Sequence, residues 1–268
     1  MECLRRRAWA VNRFSRNYRF HQSRPIPGDI KTVTVKRDAF GDFWITFSCD
    51  NVPVPEPKAA TGQSAGLDFG LKSFPTGSDG TRVENPQFLK SALRSLRKAN
   101  RAVSRKQKGS NSCRRAVRAL SRIHRRVCNL RNDWQWKEAN RLVAGHDELV
   151  FETLGLAGMK ALWGRKVSDY AFGRFLGKVS WLAAKNGRVF TQIDHYETTT
   201  KRCSCCQCIQ PLTLDVRRWK CTSCGATHDR DQNAAVNILE AGRGLRRESA
   251  VSPAPQAALV MNAESHGV

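Results

Sequence analysis

Residues 64–69 read SAGLDF, and residues 149–152 read LVFE. Both are short apolar runs that end at or beside an acid and are too short for helices, so each is predicted as a buried strand. RVFTQID (188–194) makes a third strand of the same kind. A long amphipathic helix is predicted from roughly Val167 to Lys185. Asn186-Gly187 stops it, because those residues readily take the conformation that ends a helix. Strands separated by helices predict an α/β chain in which the first two strands lie centrally in one sheet.

Upstream, IKTVTVKR (30–37) alternates apolar and polar residues and FWITF (43–47) is a second β-rich run. The turn-forming DAFGD between them predicts a β-hairpin. NVPVPEPK (51–58) carries three prolines and reads as a linker.

Residues 88–141 differ in kind. From Ser91 to Arg131 there are 14 Lys or Arg residues and no acid. Leu93, Leu96, Ala99 and Val103 form one helical stripe; Val117, Leu120, Ile123, Val127, Leu130 and Trp134 form another. KQKGSNS (106–112) breaks the pattern, so two antiparallel basic helices are predicted. So many like charges on helices repel one another, and a polyanion lying along the hairpin would relieve the repulsion. Arg94, Arg97, Arg101, Arg105, Arg115, Arg118, Arg122 and Arg126 are the candidate nucleic-acid contacts. The whole chain agrees: 46 Lys and Arg against 23 Asp and Glu give a net charge of +23, which points to a polyanionic partner. No apolar run is long enough to span a bilayer, and the N-terminus lacks the apolar core of a secretory signal. A cytoplasmic, nucleoid-associated protein with no membrane partner is expected.

Ten cysteines are present, six of them between 203 and 224. Such crowding in a reducing compartment reads as metal ligation. Cys203-x-x-Cys206 and Cys221-x-x-Cys224 supply two pairs of thiolates that could close a tetrahedral structural zinc site. Cys205 and Cys208 have the same spacing, so the register of the first pair is open. Gly225 suits the second knuckle; Gln207 stands where the first would favour glycine. His228 is a minor alternative ligand, and Trp219 is expected to pack under the knuckle.

Three acids stand at strand ends or beside a helix start: Asp68 in GLDFGLKSF, Glu152 in LVFETLGLAGM and Asp231 in DRDQNAAVNIL. Buried acids converging on one sheet edge repel unless a cation holds them. Such a set suits two Mg²⁺ ions that hydrolyse a phosphodiester. Asp229, by contrast, reads as the cap of the last helix.

These motifs, in this order, resemble the transposon-encoded TnpB (OrfB) family. GLDFGLKSF is similar to the first motif of its RuvC-like nuclease domain, and LVFETLGLAGM to the second. CxxCG running into DRDQNAAVNI is similar to its zinc ribbon and third motif, in which the acid two before the Asn is Asp231. RFHQSRPIPGDIKTVTVKRDAFGDFWITF resembles the β-rich wedge segment. The resemblance implies an RNase H-like (RuvC) fold with an inserted helical hairpin and zinc ribbon, and an RNA-guided DNA endonuclease with structural Zn²⁺ and catalytic Mg²⁺ bound by Asp68, Glu152 and Asp231. The implied partners are DNA and a guide RNA from its own locus; a homodimer is compatible. It divides the chain into a partial wedge segment (1–58), a nuclease domain (59–200) holding the basic hairpin (88–141), a zinc ribbon (201–225) and a last motif and helix (226–240); residues 241–268, rich in Ala, Pro, Ser and Gly, are expected to be a disordered tail. It also implies an N-terminally truncated copy. The alternative expectation is a nucleic-acid-binding remnant or repressor that cuts nothing.

Overall fold

The computed structural model describes residues 8–9, 18–23, 25–38, 40–53, 56–70, 73–194, 197–213 and 216–249. The chain divides into two compact units, with the boundary between Pro55 and Glu56. In the first unit, β1 (Ala8–Trp9) pairs with β2 (Tyr18–Arg19), and β3 (Asp29–Arg37) pairs antiparallel with β4 (Phe43–Asp50). The expected hairpin is therefore present. Its turn is closed by the Asp38 carboxylate, which accepts from the Phe40 and Asp42 backbone N–H groups and from the Trp44 indole.

The second unit is α/β. Its strands are β5 (Ser64–Asp68), β6 (Ser73–Gly77), β7 (Arg82–Glu84), β8 (Glu148–Glu152) and β9 (Val189–Ile193), in the sheet order β7-β6-β5-β8-β9. β5, β8 and β9 run parallel, and β6 is antiparallel to β5. Parallel neighbours end on the same edge, so Asp68 and Glu152 emerge side by side.

Between β7 and β8 lie α1 (Phe88–Ser104) and α2 (Asn111–Gly145). Ser110 caps α2 by accepting from the Cys113 N–H. Gln87, before α1, offers no such cap. Asp169 does so from a distance, accepting from the Leu89 and Lys90 N–H groups and pairing with Arg131 at 3.3 Å. The hairpin seam is narrower than its stripes suggest. Leu96 and Val127 are buried, but Val117 and Leu130 are 42% and 43% exposed. The shorter α1 covers only part of α2.

One face of the sheet packs on α2 and on α4 (Phe172–Lys185) through Leu67, Leu149 and Phe151 against Leu142, Phe175 and Val179, all essentially inaccessible. Burying each such side chain contributes roughly 1.5–3 kcal/mol. The other face packs on α5 (Arg230–Ser249) through Val150, Ile193, Ile238 and Leu239. Gly66 sets that approach. A Cβ there would lie 2.1 Å from the Ala235 carbonyl and 2.6 Å from the Leu239 nitrogen, so α5 rests on bare β5 backbone.

Two sequence expectations need correction. The helix expected from Val167 to Lys185 is two helices, α3 (Leu156–Tyr170) and α4, broken at Ala171 with φ +49°. Tyr170 and Phe172 both stack on Phe74, with centroids 5.4 and 5.3 Å away. Residues two apart on a continuous helix point away from each other, so sharing one partner requires a break. Gln135 offsets its cost by donating to the Tyr170 and Ala171 carbonyls. Second, the last helix does not stop near 240 but continues to Ser249. Gly242 sits against Val150, and Arg246 pairs with buried Glu148 at 3.1 Å. These contacts hold a segment whose composition alone suggests a tail. The expected disorder of 250–268, and the start of the expected wedge at residues 1–7 and 10–17, lie outside the described residues.

Candidate active site and metal centre

The C-terminal edge of the parallel strands carries the acids. Asp68 ends β5, Glu152 ends β8, and Asp231 lies in the first turn of α5, which Gly66 lets approach. Asp229, the last residue of β11 (Thr227–Asp229), accepts from the Gln232 N–H and so caps α5. Burial pushes the Asp68 carboxyl up to about 7, and the negative charges of Glu152 and Asp231 push the same way. Arg230 and Arg217 oppose them, incompletely. The structure thus brings all three acids into electrostatic contact.

Arg217 is a site residue the sequence reading passed over. It precedes β10 (Arg218–Lys220) and reaches Asp231 at 3.3 Å, and Arg230 lies 3.5 Å from the same carboxylate. In a chain with this many arginines, nothing in the VRRW run marks one as special. Only the β10–β11 pairing carries it to α5.

The cysteine cluster forms beside this edge. Cys203, Cys206, Cys221 and Cys224 bring their sulfurs together; Cys203 and Cys224 are 3.7 Å apart, and Cys206 and Cys221 are 3.6 Å apart. The set could hold a metal ion. Cys205 and Cys208 are exposed. Backbone N–H groups of Cys224 and Ser223 draw the Cys221 thiol down to about 6, the Cys224 N–H having the larger effect. Burial and the neighbouring sulfurs push the Cys206 and Cys224 thiols the other way, up. Both knuckles take the left-handed turn, at Gln207 (φ +64°) and Gly225 (φ +74°). Trp219 is buried beneath them with Cys203 and Cys221.

Two buried asparagines on one face of α5 tie the knuckle to the acid edge. Asn233 accepts from the Ser204 N–H and donates to the Arg202 carbonyl; Asn237 donates to the Thr199 and Arg202 carbonyls. Asp231, Asn233 and Asn237 belong to the same helix, so the knuckle and the third acid are set by one rigid element. The eight candidate arginines all stand exposed on or next to α1 and α2, away from the acids in sequence and free to meet solvent or a polyanion. Among the described residues no helix is long and apolar enough to cross a membrane.

The family model OrfB_IS605, described as "Probable transposase", matches residues 46–162. The model "Cas12f1-like, TNB domain" matches residues 172–238. A "Putative RNA-guided DNA endonuclease" of Streptomyces pristinaespiralis is 37% identical over 225 residues, covering 82% of this chain and 55% of that protein. A "TnpB-like protein" of Acanthamoeba polyphaga mimivirus is 28% identical, covering 84% of this chain and 46% of its own. The chain thus spans about half the length of these relatives. A solved Cas12f1–sgRNA–target DNA complex is similar at a TM-score of 0.47 and 15% identity, over 77% of this chain and 55% of that one. The family matches run consecutively along the sheet, the acid edge and the cysteine knuckle, and along them the chain is similar to the TnpB (OrfB) family.

Proposed function

We propose that the chain carries an RNase H-like (RuvC) nuclease domain that hydrolyses DNA phosphodiesters in a Mg²⁺-dependent reaction directed by a guide RNA. The observation that carries this reading is the convergence of three acids: Asp68 and Glu152 end neighbouring parallel strands, and Asp231 opens the helix packed across them, near enough that Glu152 and Asp231 add to burial in pushing the Asp68 carboxyl up. Three hard oxygen donors that repel one another at the edge of a parallel sheet fit a divalent cation, which removes the repulsion. Bound Mg²⁺ would supply an activated water and neutralise charge on the phosphate. Asp68 would hold the ion as the carboxylate, having lost its proton. Glu152 and Asp231 complete the donor set from β8 and α5. Arg217 and Arg230 pair with Asp231, and their positive charge at this edge would suit a phosphate. The relatives named as RNA-guided DNA endonucleases support the reaction class.

In this reading residues 59–200 form the nuclease domain with its hairpin at 88–141, residues 201–225 form the zinc ribbon, and residues 1–58 form part of a wedge. Cys203, Cys206, Cys221 and Cys224 hold a structural zinc ion, closed to chemistry because all four positions are thiolates. Arg94, Arg97, Arg101, Arg105, Arg115, Arg118, Arg122 and Arg126 contact nucleic-acid backbone, where each contact weakens with salt.

The test is cleavage. The chain is purified with RNA from its own locus, given Mg²⁺ and matched single- or double-stranded DNA, and compared with Asp68→Ala. Cutting that requires Mg²⁺ and vanishes in the variant is the expected result. Equal binding by both proteins without cutting would leave a nucleic-acid-binding remnant or repressor instead.

A further inference from the structure

The cysteine knuckle gathers more ligand atoms than one tetrahedral ion can use. Besides the four-cysteine set, Cys203, Cys205 and His228 have ligand atoms all within 4.8 Å of one another. His228 Nε2 lies 3.1 Å from Cys203 Sγ. Its ring is fixed against its cross-strand partner Trp219, with centroids 4.6 Å apart. An imidazole and a thiolate bound to one zinc ion, at about 2.0 and 2.3 Å, stand roughly 3.5 Å apart in a tetrahedral site. A shift of a few tenths of an ångström (roughly 0.4 Å from the tetrahedral value) reaches that geometry.

We infer that the knuckle binds a second zinc ion through Cys203, Cys205 and His228, with the Cys203 thiolate shared between the two ions. The inference rests on the four-cysteine zinc reading, because the shared sulfur must already belong to that site. A thiolate keeps lone pairs after binding one zinc ion. Four thiolates around a divalent ion leave a net negative charge, and that charge favours a further cation on the shared sulfur. The rival role for His228 is an N–H donated to the Cys203 sulfur, which would orient that ligand from outside the metal's own shell. That role gives Cys205 nothing to do, yet Cys205 lies within reach of both atoms. Cys203 is buried and Cys205 exposed, so the second ion sits at the rim, with three protein ligands and a position left for water. This is the open pattern rather than the closed one.

The test is stoichiometry on the full chain. The protein is titrated with Zn²⁺ against a chromophoric chelator and weighed intact under native conditions. Wild type is expected to take two ions per chain. Cys205→Ser and His228→Gln should each take one, and Cys208→Ser should keep two. In a parallel Co²⁺ titration, the second equivalent should add a spectrum of mixed sulfur and nitrogen ligation that Cys205→Ser lacks. Saturation of wild type at one ion, with Cys205→Ser unchanged, overturns the inference and leaves His228 as a hydrogen-bond donor. Binding of no ion by wild type overturns the four-cysteine reading itself, and this inference with it.

Discussion

The two edges of the central sheet treat the same side chain in opposite ways. At the edge where β5, β8 and β9 begin, Asp147 accepts from the Thr61 and Gly62 backbone N–H groups and pairs with Arg188. The Thr61 N–H above all, then the Gly62 N–H and the Arg188 charge, hold its carboxyl below the usual range. At the edge where the strands end, Asp68 meets burial and two further acids, and its carboxyl rises to about 7. One edge satisfies its anion with donors. The other gathers anions and answers them only in part. An edge selected for stability alone would look like the first; the second fits the divalent cation proposed above.

Replacing the acid should separate the edges most sharply. Asp68→Asn removes a charge the cation-free fold resists, so it should abolish Mg²⁺-dependent cutting while raising stability without divalent ions. A shift of about three pH units is worth roughly 4 kcal/mol at neutral pH, a ceiling because water entry and side-chain movement relieve part of it. Asp147→Asn should lower stability instead, because it discards a carboxylate its donors favour. Chemical denaturation of both variants in chelator checks this. A destabilised Asp68→Asn would mean the acid edge is an ordinary structural network.

The same contrast has a pH signature. Asp68 carries a folded value above its unfolded one, so the folded state holds its proton longer. Cation-free stability at this edge should therefore fall as pH rises from about 4 to about 7 and then level off, by up to about 1.4 kcal/mol per unit. Mg²⁺ should flatten the fall. Asp147 is lowered, so its contribution is present above the ordinary carboxylate range and is lost only as pH falls through its folded value. Denaturation midpoints across pH 4–8, with and without Mg²⁺, read the first window. The outcome that breaks the comparison is wild-type stability that does not fall, relative to Asp68→Asn, as pH rises.

Asp68 and Glu152 were legible because their signal is local: an acid ending an apolar run is visible in SAGLDF and LVFE, whereas Asp231 was marked by the family motif. The cysteine pairs were legible for the same reason, since ligand spacing is a sequence property. What was hidden depends on contacts between distant segments. Arg217 joins the site only through the pairing of β10 with β11. The break at Ala171 arises because Phe74, about a hundred residues earlier, draws both Tyr170 and Phe172. The end of α5 is held by Glu148, an acid with no local signal at all.

Gly66 offers the next test, since it brings Asp231 to the acid edge. Gly66→Ala forces a Cβ against the α5 backbone, and backbone cannot swing aside as a side chain can. Overpacking of this kind costs about 1–3 kcal/mol. The displacement should fall on the acid edge and spare Asp147, whose partners lie on the loop before β5 and on Arg188. Expected are lower stability, weaker Mg²⁺-dependent activity and a lower Asp68 value, as Asp231 retreats. A variant with full activity and an unchanged midpoint would show that α5 does not rest where Gly66 lets it.

The smallest effect should come from Arg217, and its sign is the informative part. Its charge lowers the Asp68 value, and it pairs with Asp231 from a side chain that is 44% exposed. Solvent screens a pair that open, so Arg217→Met should cost only a few tenths of a kcal/mol in cation-free stability. The Asp68 value should nevertheless move further up, because an opposing positive charge has gone while burial and both acids remain. A carboxyl-selective titration by infrared difference or NMR would detect the movement, and added salt should shrink the gap between variant and wild type. Were the Asp68 value to fall instead, Arg217 would be holding Asp231 toward Asp68 rather than neutralising it. The acid edge would then owe its high value to an arginine that packs the acids together.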